Sequence, residues 1–269
     1  MEKQKYDKCI PDDFWKMTLE DCYAKNYLDA YSILARGFWC CENKPKEGKL
    51  LLTGINPSYR TPYKPTTPFA KLKGGFWEKK KKQFGELWND DTMSYLDLFP
   101  IRESDQRHFE QSFDNNEHVR SIRVNILKVT QDVIEEMKPL LIVHANKDSL
   151  YYWGIKKNTP AGDDANDYEH PWMGYKVERV TLETYPDLPP CMRQYDRLSL
   201  FPLYEIVGFI DSDNRINRKE IQDTNLKFIM EYVMDDRNPK YKGKLYQQKE
   251  GKEEWAEIWK WVKKHSQND

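Results

Sequence analysis

The most specific chemical pattern in the chain is Gly54-Ile55-Asn56-Pro57-Ser58. It closes Lys49 to Ile55 (KLLLTGI), an apolar run of the kind that forms a buried strand and stops sharply. Glycine lets a backbone turn at a strand end without a Cβ clash. Pro57 drives Asn56 out of the α region and holds it extended. The segment therefore delivers a rigid carboxamide to the end of a sheet, with Ile55, Pro57 and Ser58 beside it as candidate substrate contacts. A carboxamide is both donor and acceptor, so it can orient a water or read the polar edge of a ligand. Taken alone, the five residues also read as an ordinary Asn-Pro turn that closes a strand.

The residues downstream of this motif narrow the choice. A loop with four prolines spans residues 56 to 75 and contains Pro68-Phe69-Ala70, and Gly75-Phe76-Trp77 then opens a helix. G-I-N-P, a Pro-rich loop, P-F-A and F-W in this order resemble the mismatch-specific uracil/thymine-DNA glycosylases of the uracil-DNA glycosylase superfamily, over roughly residues 49 to 88. The resemblance implies a three-layer α/β/α fold around a central, mostly parallel four-stranded sheet. It also implies a hydrolase that cleaves the N-glycosidic bond of uracil or a related damaged base, without a cofactor. Asn56 would be the catalytic residue that orients the water, and Phe69 the ring that stacks on the flipped base.

The chemistry suits these residue types. Glycosidic cleavage passes through an oxocarbenium-like sugar, which needs little activation of the nucleophile. The base must first leave the stack and be read along its Watson–Crick edge. Asn146, closing Val143-His144-Ala145-Asn146, matches such an edge with its donor and acceptor, and reads equally as a cap for the next helix. His144, inside an apolar strand, reads as a core histidine.

The chain departs from the family late in its length. Superfamily members carry His-Pro-Ser or Asn-Pro-Ser after the fourth strand, whereas this chain has Asp211-Ser212-Asp213-Asn214-Arg215. Ser212 and Asn214 are the polar groups that would face nucleic acid there, and two aspartates oppose a phosphate backbone. The alternative is thus a non-catalytic or repurposed member of the fold that binds a nucleotide, nucleic acid or a protein. Lys71 and Lys73, followed by Lys79 to Lys82, would supply phosphate contacts beside the pocket loop. A lysine run on a helix is also an ordinary solvated face.

Other elements must position these groups. Residues 12 to 39 read as helix, with Asp12 or Asp13 capping one turn and Thr18 starting another. Phe76 to Trp88 reads as helix, Tyr95 to Ile101 as strand and Leu140 to Ala145 as strand. Between the last two lies the best stripe, Val119, Ile122, Ile126, Val129, Val133 and Met137, which predicts a helix over 118–138. A short helix is expected over 148–153, strands over 175–182 and 204–210, and helices at about 217–235 and 253–265. Strands alternating with helices predict one domain with a parallel sheet covered on both sides. Residues 1 to about 45 form an N-terminal helical extension in this scheme. Ligands of such sheets sit at the carboxyl ends of strands, here Asn56, Arg102 and Asn146.

Composition bounds the partners. The formal net charge is −1, so the chain lacks the basic excess of an obligate nucleic-acid coat, and brief contact with single-stranded or mismatched DNA would rest on a local basic strip. No apolar run reaches about 18 residues and the start, MEKQKYDKCIPDD, has no apolar signal core, so a cytoplasmic protein off the membrane is expected. Cysteines at 9, 22, 40, 41 and 191 show no C-x-x-C spacing, which argues against a disulfide framework or a zinc or iron–sulfur site. The Cys40-Cys41 pair reads as two reduced thiols near a helix end. No phosphate-loop, dinucleotide-binding, nucleophile-elbow or H-E-x-x-H motif occurs. The acidic 162–167 segment lacks the ligand spacing of a calcium loop.

Overall fold

The computed structural model describes residues 12–41, 49–59, 66–67, 73–114, 117–144, 152, 175–180, 182–183, 185–190, 203–209, 226–230 and 250–266. In chain order the elements are α1 (Asp12–Ala24), α2 (Leu28–Leu34), β1 (Cys40–Cys41), β2 (Leu50–Gly54), β3 (Thr66–Thr67), α3 (Gly75–Phe84), β4 (Met93–Asp97), α4 (Gln106–Asp114), α5 (Glu117–Met137), β5 (Leu141–His144), β6 (Tyr175–Val180), β7 (Leu203–Phe209), β8 (Leu226–Met230) and α6 (Glu250–Ser266).

Among the described residues the main sheet has six strands in the order β4-β2-β5-β8-β7-β6. β4, β2, β5 and β8 run parallel, and β7 and β6 extend the sheet antiparallel. β1 and β3 form a separate parallel pair. Successive side chains of a strand face opposite ways, and here each face has its own core. Leu51 and Ile142 join Ile33, Leu34, Phe109, Phe113 and the buried stripe of α5. Leu50, Leu52, Leu141 and Val143 join Phe84 of α3 and Trp255, Ile258, Trp259 and Val262 of α6. The protein is α/β with helices on both faces, and the apolar strand sequences reflect that double burial. No helix among the described residues is long and apolar enough to cross a membrane.

The helical stripes land as their periods require. Val119, Ile122, Ile126, Val129, Val133 and Met137 are all buried. On α6 Trp261 is also buried in this core against Tyr185, and its Nε1 donates to Asp187 Oδ1 at 3.2 Å in the Pro-rich 185–190 segment. Asp187 also accepts from Lys264 and pairs with His265, so this segment is tied to the last turn of α6.

Four expectations change. The 12–39 region is two helices rather than one, broken at Asn26 in the left-handed region with φ 60°, a conformation Asn tolerates better than most residues. Thr18 lies inside α1, its Oγ1 donating to Phe14 O, and caps nothing. Cys40 and Cys41 form a strand rather than a helix end. The helix expected over 217–235 contains strand β8, because a short apolar run such as LKFIM carries no period that separates strand from helix. One helix was not anticipated: α4 presents only Phe109 and Phe113 to the core, four residues apart, which is too short a stripe to stand out.

Candidate functional site at the carboxyl ends of β2 and β4

The strand-end motif is zipped onto the continuation of β4. Leu98 N donates to Gly54 O, Phe99 N to Ile55 O and Glu103 N to Pro57 O, at 2.8 to 3.0 Å. Residues 54–58 and 98–103 therefore form one unit at the carboxyl ends of β2 and β4, of which β4 is the edge strand.

Gly54 is required by space. It stands opposite Asp97 in the register, and a Cβ there would collide with Asp97 Oδ1 and the Tyr95 hydroxyl. Its backbone is not in the left-handed region, so close approach, not conformational freedom, explains the glycine. Gly54→Ala is expected to cost about 1–3 kcal/mol through overpacking, measurable by urea unfolding.

The residue that Gly54 accommodates is a buried acid. Asp97 is 5% exposed, and its Oδ1 accepts from the Tyr95 hydroxyl at 2.6 Å. Its Oδ2 is buried without a hydrogen-bond partner among the described residues. Burial pushes the Asp97 carboxyl up to about 7, against the opposing hydrogen bond from Tyr95. Between the ordinary carboxyl range and 7, the folded state thus holds a proton that the unfolded chain has lost. Stability from this group is present at acid pH and falls as pH rises through that window. Asp97→Asn is expected to be more stable than the parent by about 2 kcal/mol at pH 8, with the gain vanishing near pH 4 in denaturation curves.

Asn56 is fixed by its amide nitrogen. Nδ2 donates to Glu103 O at 2.7 Å and Ile101 O at 3.2 Å, with Pro57 O at 3.4 Å. Three carbonyl oxygens around one terminal atom require that atom to be the NH2 group. Oδ1 is buried and has no partner among the described residues. The side chain is thus anchored through its nitrogen at the carboxyl end of β2.

Glu103 organises the turn that anchors it. Its side chain is 7% exposed. Oε1 accepts from the backbone N–H groups of Ser104 and Asp105 at 2.7 and 3.0 Å. Oε2 takes Arg36 Nη1 at 2.5 Å and His108 Nδ1 at 2.9 Å. Burial pushes this carboxyl up, but the backbone hydrogen bond at Asp105, then His108 and Arg36, outweigh it and hold the group at about 2. Glu103 is ionised and internally satisfied. Asp105 caps α4, its Oδ1 accepting from the N–H groups of Arg107 and His108.

The sequence-predicted residues divide. Asn56 occupies the strand end, its Oδ1 buried and without a hydrogen-bond partner among the described residues. Ile55 packs its side chain into the core, 3% exposed. Pro57 contributes its carbonyl to Glu103 N, while Ser58 and Lys73 are exposed. Arg102 is at the site, donating to Arg36 O at 3.1 Å. Phe69, Lys71, Asn146, Ser212 and Asn214 lie outside the described residues. Asp97, Glu103, Arg36 and His108 were not singled out from sequence. Among the described residues no group of three or more His, Cys, Asp or Glu side chains stands ready to hold a metal ion.

Comparison with protein-family models, curated proteins and solved structures finds no match for this chain.

Proposed function

We propose that the chain is a DNA glycosylase-like hydrolase that cleaves the N-glycosidic bond of uracil or a related damaged base, with Asn56 holding the attacking water. One observation supports this above all. The amide nitrogen of Asn56 is spent on backbone carbonyls, so the oxygen alone remains to interact, and an oxygen acceptor is what a nucleophilic water needs. In this reaction the C1′–N bond breaks with its electron pair going to the base, and water oxygen bonds to C1′. The amide accepts a hydrogen bond from that water and aims its lone pair at C1′. The released proton passes to the departing base or to solvent. Stabilising a cationic sugar asks little of the base catalyst.

In this proposal the fold is a variant of the uracil-DNA glycosylase type whose parallel strands are extended by the antiparallel β6–β7 pair, and the protein is a cytoplasmic repair enzyme. Phe69 stacks the flipped base, Asn146 reads its edge, and Lys71, Lys73, Ser212 and Asn214 meet the DNA strand. No metal or cofactor takes part. The test is free-base release from uracil-containing oligonucleotides, single-stranded and mismatched, followed by chromatography of the base and alkaline scission of the abasic strand.

A second reading, a repurposed member that binds nucleotides or nucleic acid without cleavage, draws on the Asp211-Ser212-Asp213 sequence in place of a Pro-Ser motif. Saturable oligonucleotide binding with no base released would select it.

A further inference from the structure

Among the described residues, two buried side-chain oxygens have no hydrogen-bond partner: Asn56 Oδ1 and Asp97 Oδ2. An unpaired buried polar atom is costly, and native folds keep few of them. These two lie at the carboxyl ends of neighbouring strands. Asn56 is two residues beyond Gly54, and the missing side chain of Gly54 is what makes room for the Asp97 carboxyl. Two residues of chain span at most about 7 Å, so Asn56 and this carboxyl belong to one locality.

Asp97 has no counterion among the described residues. β2 presents Gly54 to it, Tyr95 on its own strand donates to Oδ1 at 2.6 Å, and α3 reaches the pair through Trp77, whose ring packs on that of Tyr95 at 4.6 Å. Tyr95 is the titratable group of this set, and neither Gly54 nor Trp77 carries charge. The carboxyl therefore keeps its proton up to about 7. Oδ1 already accepts from Tyr95, so Oδ2 is the oxygen placed to carry that proton. Ring contacts lead from this acid to the surface: Tyr95 to Trp77, then Trp77 to Phe76 at 4.9 Å, with Phe76 42% exposed. Gly74 and Gly75, just before Phe76, have nothing within 4 Å of where a side chain would stand. A flat heterocycle suits an approach lined by rings.

We propose that Asp97 is a second catalytic residue of this site, a general acid that hands the proton on its Oδ2 to the departing base. This rests on the glycosylase reading and deepens it. As the C1′–N bond breaks, its electron pair moves into the base and is shared with the ring carbonyl oxygens, one of which takes the Asp97 proton. The base leaves neutral, and Asp97 remains as a carboxylate that accepts from Tyr95. Water oxygen bonds to C1′, and the proton it sheds returns to Asp97 by way of solvent. The net reaction is hydrolysis with no other reactant. Burial serves the role twice. It keeps the acid protonated near neutral pH, and it strengthens the hydrogen bond to a base that is gaining negative charge. The substrate class accordingly extends to bases that depart poorly as anions.

The experiment is single-turnover base release by the full chain from single-stranded oligonucleotides carrying one deoxyuridine or one 5-fluorodeoxyuridine, whose base is the better anionic leaving group. On uracil the wild-type rate should hold between pH 5 and 6.5 and fall about tenfold per pH unit above 7, as the acid form disappears. Tyr95→Phe removes a hydrogen bond that favours the carboxylate, so it should move that fall to higher pH. Asp97→Asn keeps the shape and a donor but has no proton to give. At pH 6 it should lose about 100-fold on uracil and only about 10-fold on 5-fluorouracil, and its uracil rate should no longer fall above pH 7. Circular dichroism checks that each variant is folded under assay conditions. Equal losses on the two bases, or an unchanged fall above pH 7 in folded Asp97→Asn, would overturn the acid role alone and leave the glycosylase reading standing. Release of neither base by the wild type would overturn both together.

Discussion

Glu103→Ala is expected to lower stability by about 3–5 kcal/mol, the range found when one member of a buried ion cluster is removed. The Glu103 carboxylate satisfies two backbone N–H groups, one guanidinium and one imidazole. Its loss strands all four at once, and Arg36 keeps a mostly buried charge with no counterion at 2.5 Å. The same geometry sets the sign of the acid response. Because the folded carboxyl is held at about 2, below its ordinary value of 4.5, its stabilisation is complete above 4.5 and drains away as pH falls towards 2. About 3 kcal/mol is at stake by linkage. Wild type should therefore lose stability steeply below pH 4.5 in urea titrations. Glu103→Gln, which cannot ionise, should show a shallower slope from a lower plateau. An acid limb as steep in Glu103→Gln as in the wild type would show that the cluster contributes nothing through this carboxylate.

Asp97 opposes this trend. Its contribution declines towards neutral pH, whereas that of Glu103 is complete there. A site that keeps one acid firmly ionised and a neighbouring one near its titration point holds two carboxyl groups in different protonation states by environment alone.

Asn56→Ala should abolish base release, by at least about 100-fold, the scale on which a preorganised hydrogen-bonding group acts. It should also cost about 1–3 kcal/mol of stability, because the carbonyls of Ile101 and Glu103 lose their donor. The two effects separate in single-turnover assays run below the melting transition, where the fraction folded is checked by circular dichroism. Asn56→Asp is the sharper test of mechanism. An aspartate is the stronger base, and on chemical grounds alone it should be faster. Here it would place a carboxylate oxygen among the carbonyl oxygens of Glu103, Ile101 and Pro57, where only a donor fits. Asn56→Asp is therefore expected to be less stable than Asn56→Ala and equally inactive. A folded Asn56→Asp enzyme with undiminished release would contradict the water-holding role assigned to the anchored amide.

Much of the architecture lies in local sequence. Strands β2 and β5 were legible as apolar runs, because both faces of each are buried. Helix α5 was legible because six apolar residues recur at helical spacing and all turn inward. Asn56 was legible because the Gly-Ile-Asn-Pro order constrains the backbone at a strand end through sterics that act within three residues.

Tertiary structure alone decided the rest. Nothing around Asp97 in the chain marks it as a buried acid, since its environment comes from β2 lying beside β4 with Gly54 opposite. Glu103 and Arg36 are 67 residues apart, and the polar Arg-Glu-Ser-Asp stretch gave no sign that one of its acids is turned inward. The direction of β6 and β7, and the strand identity of β8, depend on which neighbours they meet across the sheet. Local sterics and periodicity act along the chain, so they can be read from it. Desolvation and charge pairing depend on which distant segments are brought together, and only the folded chain does that.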